Sequence, residues 1–181
     1  MGKVMDYIDD ELAAWIEQQH VFFVATAPIS ANGHVNCSPK GGDSFRILGP
    51  LDVAYQDYTG SGAETVAHLR ENGRIVVMFC AFDGKPSIVR LHGHGEVITP
   101  NDARYELLAE RFPGNAGTRA IVRIDVTRVS TSCGWAIPKY EFESDRDSLE
   151  KWAISKGDRG LADHRASKNA VGIDGLPAFD S

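Results

Sequence analysis

Cysteine is scarce in this sequence. Cys37, Cys80 and Cys133 are odd in number, far apart and outside any C-x-x-C spacing. Neither a disulfide framework nor a zinc knuckle is indicated, and reduced thiols are expected. Long apolar runs are missing too: the longest, such as Ile75 to Phe82, fall far short of the ~20 residues that span a bilayer. The amino end carries no signal-peptide pattern, so a cytoplasmic protein with no membrane partner is expected. Positive charge is in deficit, with 19 Lys and Arg against 25 Asp and Glu and a net charge of -6. That balance, with no basic run, argues against a nucleic-acid surface while leaving room for one local basic pocket. No repeat or low-complexity tract occurs, and no G-x-G-x-x-G follows an early strand, which weighs against a dinucleotide fold.

What is present is an ordinary globular composition, 43% apolar and 24% charged over 181 residues. This length predicts a single domain, 1–181, burying roughly 70% of its unfolded surface. Ile8, Leu12, Trp15 and Ile16 share one helical face behind Asp9 as N-cap, predicting a helix to about Gln19. Val21 to Ala27 is β-rich, and Asn32-Gly33 turns a hairpin into Val35 to Ser38. Pro39 to Asp43 interrupts before the strand Phe45 to Leu48, and Gly49-Pro50 turns into Leu51 to Gln56, so four strands precede residue 57.

Beyond residue 63, Val66, Leu69 and Arg70 continue a short helix that Asn72-Gly73 stops in left-handed geometry. Arg74 to Phe82 reads as a strand buried on both faces, and Ser87 to Ile98 as another. Thr99-Pro100-Asn101-Asp102 predicts a helix to about Arg111. Arg119 to Val129 turns Val122, Ile124 and Val126 inward and Arg123, Asp125 and Thr127 outward. A last helix, capped by Ser144-x-x-Asp147 and carrying Leu149, Trp152 and Ala153, should stop at Gly157, leaving a polar tail loosely held or held by a partner. Six or seven strands joined mostly by hairpins, with short helices at the edges, predict a mainly β protein built as a small antiparallel barrel.

The chain is organised around Asp57-Tyr58-Thr59-Gly60-Ser61-Gly62-Ala63-Glu64-Thr65, between a strand and a helix. Gly60 and Gly62 let the backbone turn tightly and approach a ligand, and the free N–H groups of a first helical turn attract negative charge, so a phosphate fits there. An ordinary glycine turn with Ser61 or Thr59 as cap fits the same residues equally well. The loop lacks the Lys of a Walker motif. His92-x-His94 places two imidazoles on one strand face without a third ligand motif, and no metal is expected. The remaining histidines, His20, His34, His68 and His164, are scattered and give no hydrolytic arrangement.

Four stretches in order resemble the flavin-binding split barrels related to pyridoxamine 5′-phosphate oxidase. They are Val35-Asn36-Cys37-Ser38-Pro39-Lys40-Gly41, Asp57 to Gly62, Asn72-Gly73-Arg74 with Met78-Phe79, and Arg90-Leu91-His92-Gly93. The resemblance covers roughly residues 20 to 130, which it implies are the split-barrel core, with 131–181 forming a helix and tail at a dimer interface. It implies a homodimer holding flavin mononucleotide (FMN) in a cleft between subunits. Ser38, Lys40, Thr59, Ser61 and Thr65 would hold the phosphate and ribityl chain, with Gly60 turning the loop. The isoalloxazine ring would lie near Pro39, Tyr58 and Arg90. Lys40, which alone reads as a solvated turn lysine, becomes the cation that a phosphate needs. Trp135 and Tyr140 would stack on the flavin or fill the dimer interface.

Two departures from the oxidase itself are visible. Its loop continues with a basic pair, whereas Gly62, Ala63 and the acidic Glu64 follow Ser61 here. Its carboxy-terminal end supplies an arginine, whereas this chain closes on Asp174-Gly175-Leu176-Pro177-Ala178-Phe179. The resemblance therefore implies an FMN-dependent oxidoreductase acting on a small molecule other than pyridoxamine phosphate. The alternatives are a non-catalytic flavin protein for storage or redox sensing, or a split barrel holding a deazaflavin or haem.

Overall fold

The computed structural model describes residues 2–179; Met1, Asp180 and Ser181 lie outside them, and with them the outer ends of the domain expected over 1–181. The order is β1 (Lys3–Met5), α1 (Asp10–Glu17), β2 (Val21–Thr26), β3 (Asn36–Gly41), β4 (Phe45–Gly49), β5 (Asp52–Tyr58), α2 (Glu64–Asn72), β6 (Arg74–Cys80), β7 (Ile88–Ile98), α3 (Tyr105–Ala109), β8 (Thr118–Ser132) and α4 (Ser148–Lys168). The strands form one antiparallel sheet in the order β3-β2-β6-β7-β8-β5-β4, with β1 added against β8. Its two ends, β3 and β4, are consecutive in the chain and share no ladder. The curled sheet is thus a half-barrel open between them: mainly β and antiparallel as the strand pattern predicts, and split as the resemblance implies.

The long strand β8 is the spine. It pairs with β7 along most of its length, with β5 over its first half and with β1 near its end. Val122, Ile124 and Val126 are buried while Asp125 and Thr127 are exposed, as alternation requires. Phe22, Phe45, Tyr55 and Phe79 fill the interior with ring centroids 5.0 to 5.8 Å apart. Each such buried side chain stabilises the fold by about 1.5–3 kcal/mol of transfer free energy. Onto this core α1 packs Leu12 and Ile16, with Ile8 just before it, its first turn capped by Asp9 Oδ1, which accepts from Leu12 N at 2.8 Å. The stop of α2 is Gly73, which at φ 71° takes the left-handed turn and donates its N–H to Leu69 O.

Several boundaries differ from the sequence pattern for physical reasons. The fragment β1 is too short to carry a periodic signal, so five strands, not four, precede the loop. Strand β3 runs on through Pro39 to Gly41, which a sheet end tolerates because a missing N–H costs least there. On β6, Val76 and Met78 are only half-buried, so one face packs in the core and the other does not. The helix expected from Pro100 to Arg111 shrinks to the five residues of α3, because Asp102 spends its carboxylate and carbonyl on the Arg104 and Tyr105 amides in a turn. Asp147 sits at the N-cap of α4 without a side-chain cap bond, and pairs instead with Lys151 at 2.6 Å. Gly157 breaks α4 at φ 62°, ψ 174°, yet helix resumes beyond it. The tail is not loose: Val171 bridges Pro177, and Ala178 is buried against Ala63, Val66 and Ala67. No helix among the described residues is long and apolar enough to cross a membrane.

Candidate functional site: an anion loop between sheet and helix

Strand β5 ends at Tyr58 and α2 begins at Glu64, so residues 59–63 form the predicted strand-to-helix loop. Thr59 N donates to Gly117 O at 2.7 Å, tying the loop to the entry of β8. The N-cap is Ala63, which has no capping side chain. Neither Ser61 nor Thr59 caps the helix, and among the described residues no acceptor takes the amide N–H of Ser61, Gly62, Ala63, Glu64 or Thr65. Unused donors at a helix start form an anion site.

Beside these amides lies a buried charge cluster. Lys40 projects from the inner face of β3 and donates from Nζ to Asp57 Oδ1 at 2.9 Å. Arg119, at the start of β8, donates from Nε to Asp57 Oδ2 at 2.7 Å and through a terminal nitrogen to Gly62 O at 3.0 Å. Side-chain exposure is 18% for Lys40, 1% for Asp57 and 5% for Arg119. Burial alone would raise the Asp57 carboxyl, but the charges and hydrogen bonds of Lys40 and Arg119 outweigh it and hold the group below its ordinary range. Two cations against one carboxylate leave the cluster net positive.

A cavity of about 290 Å³ opens on this cluster, lined by Ser38, Pro39, Lys40, Tyr58, Gly60, Ser61, Thr65 and Arg119, with the carboxylates of Asp57 and Glu64. A larger groove of about 810 Å³ shares Pro39, Lys40, Tyr58 and Gly60 with it and continues to Asp145, Arg146 and Glu150. Ser38 Oγ donates to Asn36 Oδ1 at 3.2 Å, and Asn36 Nδ2 donates to Thr65 Oγ1 at 2.9 Å, so β3 and α2 present their hydroxyls as one linked set. Behind them His68 Nδ1 and Thr26 Oγ1 are 2.9 Å apart, and burial lowers the His68 pKa despite the opposing charges of Asp174, Glu71 and Glu64.

Of the ten residues singled out from sequence, the fold gathers Ser38, Pro39, Lys40, Tyr58, Gly60, Ser61 and Thr65 around the smaller cavity. Thr59 is buried outside the smaller cavity, borders the larger groove, and its hydroxyl accepts from Arg165 Nε at 2.8 Å. Arg90 lies on β7 in the cross-strand row Pro39, Phe23, Met78, Arg90, and its guanidinium donates to Ser132 Oγ. Three strand spacings, about 14 Å, separate it from Pro39. Trp135 is 82% exposed and stands outside both cavities. His92 lines a shallow hollow with Arg74 and Val76.

Sequence reasoning named Asp57 only as the start of the loop and gave no role at the loop to Arg119, His164, Arg165 or Asn169. Arg119 falls at an outward phase of the β8 alternation, and only the register shift between Asp57 and Tyr58 against Ala120 and Thr118 brings it inside. The other carboxy-terminal groups reach the loop across more than 100 residues of chain, with no local signal.

Fold and site together define a split-barrel protein with a basic, amide-lined cradle at the start of α2. The sequence model of pyridoxamine 5′-phosphate oxidase matches residues 8–133. The pyridoxamine 5′-phosphate oxidase family protein ustO of Aspergillus flavus is 38% identical over 193 residues, covering 96% of this chain and 76% of ustO. The chain therefore belongs to the pyridoxamine 5′-phosphate oxidase family. Among solved structures, HupZ of Group A Streptococcus superposes with a TM-score of 0.54 at 27% identity, covering 67% of this chain and 91% of HupZ. An FAD-binding protein of Mesorhizobium loti shares the fold with a TM-score of 0.50 at 14% identity, over 72% of this chain and 96% of its own.

Proposed function

We propose that the protein binds a flavin through its phosphate, with FMN as the cofactor, and acts as a homodimeric oxidoreductase on a small molecule. The observation that carries this reading is the net-positive Lys40–Asp57–Arg119 cluster beside the unused amides of Ser61 to Thr65. A phosphate monoester carries nearly two negative charges and needs both backbone donors and cations. The donor set fits that group: amides from the loop, hydroxyls from Ser38, Ser61 and Thr65, and charge from Lys40 and Arg119. Arg119, arriving from β8, supplies a guanidinium to a loop that has Gly62 and Ala63 where the oxidase has a basic pair.

When bound, the flavin supplies redox chemistry that no side chain offers. The protein's share is to hold it: Pro39 and Tyr58 form the wall between the two cavities, and the larger groove is of a size to take a small substrate. The half-buried outward row Phe23, Met78 and Arg90, with the exposed Trp135 and Tyr140, is where a second subunit would complete the cleft.

The test is spectroscopic. Purified protein titrated with FMN and with riboflavin should bind FMN at least tenfold more tightly, because riboflavin lacks the phosphate. Lys40→Ala should lose about ten- to a hundredfold of FMN affinity and little of riboflavin affinity. Equal binding of the two flavins by the wild-type protein would overturn the assignment.

A further inference from the structure

The residues after Gly157 belong to no part of the sheet and lie beyond the segment matched by the family model, yet they grip the anion loop from behind. Arg165 donates from Nε to Thr59 Oγ1 at 2.8 Å and from a terminal nitrogen to Thr118 O at 3.1 Å. Both positions lie just beyond the place where the β5–β8 ladder slips register, and a slipped ladder is locally weak. His164 Nε2 and Asn169 Nδ2 both donate to Gly60 O at 3.1 Å. Thr59 and Asn169 are fully buried, which shields one side of these bonds from water.

Peptide planarity turns this grip into a statement about the front of the loop. In a trans peptide the N–H points opposite to the preceding C=O. Fixing Gly60 O against His164 and Asn169 therefore aims the Ser61 N–H away from the carboxy-terminal segment. Gly62 O accepts from Arg119, so the Ala63 N–H points away from that guanidinium and is not set by the carboxy-terminal segment.

Arg165 itself is costly where it stands. Burial is the first cause that lowers its pKa, and the neighbouring Arg119 adds to it. Among the described residues no carboxylate lies within ion-pair distance of it. An apolar residue would hold α4 in place at lower cost, whereas a guanidinium adds positive charge behind an anion loop and a fork that spans Thr59 and Thr118.

The geometry points to Arg165, seconded by Asn169, as a positioning residue that sets the loop amides for the flavin phosphate before the cofactor arrives. This rests on the phosphate reading above and extends the site to a segment outside the barrel. The phosphate cradle has two halves: donors that face the ligand, and a rear clamp that fixes their direction.

The experiment compares Arg165→Ala with Leu161→Ala, which removes a buried apolar group of the same helix. Cofactor-free protein is titrated with FMN and riboflavin, and hydrogen exchange is followed at the Thr59 amide, which is bonded to Gly117 O. Arg165→Ala should lose about tenfold in FMN affinity with riboflavin affinity unchanged, and its Thr59 amide should exchange about tenfold faster. Leu161→Ala should lower the melting temperature and leave the FMN-to-riboflavin ratio intact. A wild-type ratio in Arg165→Ala, or an equal loss for both flavins, overturns the positioning role alone. A wild-type protein that does not discriminate between the flavins overturns the phosphate reading and this inference with it.

Discussion

Two three-membered charge clusters in this molecule are mirror images in composition and opposites in setting. At the surface, Arg104 lies between Asp102 at 2.6 Å and Glu96 at 2.7 Å, with side chains 27 to 51% exposed. Inside, Asp57 lies between Lys40 and Arg119 at 2.9 and 2.7 Å. Distances alone would rank them alike. Water and salt screen the first, so its effect stays local: hydrogen bonds from Arg104 hold the Asp102 carboxyl at about 2 and reach nothing else. The second lies where the effective dielectric is low, so Lys40 and Arg119, with Asp57 and the Glu64 carboxylate that also lines the adjacent cavity, act strongly on whatever enters it. Burial, more than geometry, separates a cluster that can carry function from one that decorates a turn.

The comparison breaks most visibly at Asp57. Asp57→Asn removes the only negative member and leaves two buried cations facing each other, a change of about 3–5 kcal/mol. For a chain of this size that corresponds to a fall of about 10 °C in the melting temperature of the cofactor-free protein. Inorganic phosphate should restore part of the loss in the variant and less in the wild type, because an anion in the cavity replaces the missing charge. The sign with pH follows from the depressed Asp57 pKa. Its contribution is complete above the ordinary carboxylate range and is lost as pH falls through its lower folded value. Calorimetry with and without phosphate tests this; a variant melting with the wild type would place Asp57 among the inconsequential pairs.

His68 sharpens the contrast, because it is buried beside the same loop without a charged partner in hydrogen-bond contact. Burial lowers its pKa below 6.5, so the folded protein binds fewer protons than the unfolded chain between that value and the lower folded one. Stability should therefore decline as pH drops below about 6.5. His68→Gln keeps a polar partner for Thr26 and removes the titration. Melting temperatures from pH 7.5 to 5 should fall less steeply in the variant; parallel curves would show that His68 does not titrate on unfolding.

The sheet was legible where each strand obeys one rule. The alternation of Val122, Ile124 and Val126 and the Gly73 helix stop follow from local chemistry. The loop from Asp57 to Thr65 was legible for the same reason, as glycines between a strand and a helix. By contrast, β2 and β3 are joined by residues 27–35 and neither Asn32 nor Gly33 takes a positive φ, so the expected Asn32-Gly33 hairpin turn does not form. What escaped was assembled over distance. Asp57 meets Lys40 and Arg119 across 17 and 62 residues, and the inward turn of Arg119 depends on a register slip that no periodicity announces. The tail reads as polar and glycine-rich, yet Ala178 and Asn169 are fully buried, because the surface that orders them belongs to α2 and the loop rather than to the tail's own sequence.

The smallest effect is expected at the surface cluster, and its smallness is the point. Arg104 makes four charged hydrogen bonds to Asp102 and Glu96, more than Lys40 makes to Asp57. If bond count set stability, Arg104→Ala would be the more damaging change. Exposed pairs instead exchange water contacts for protein contacts of similar strength and lose side-chain freedom in doing so. Arg104→Ala should shift the melting temperature by less than about 2 °C, and the shift should vanish in 1 M salt, where the screening length is only about 3 Å. FMN affinity should not change. A shift as large as that of Asp57→Asn, insensitive to salt, would mean that the turn before α3 depends on this cluster and that exposure is the wrong measure for ranking the two.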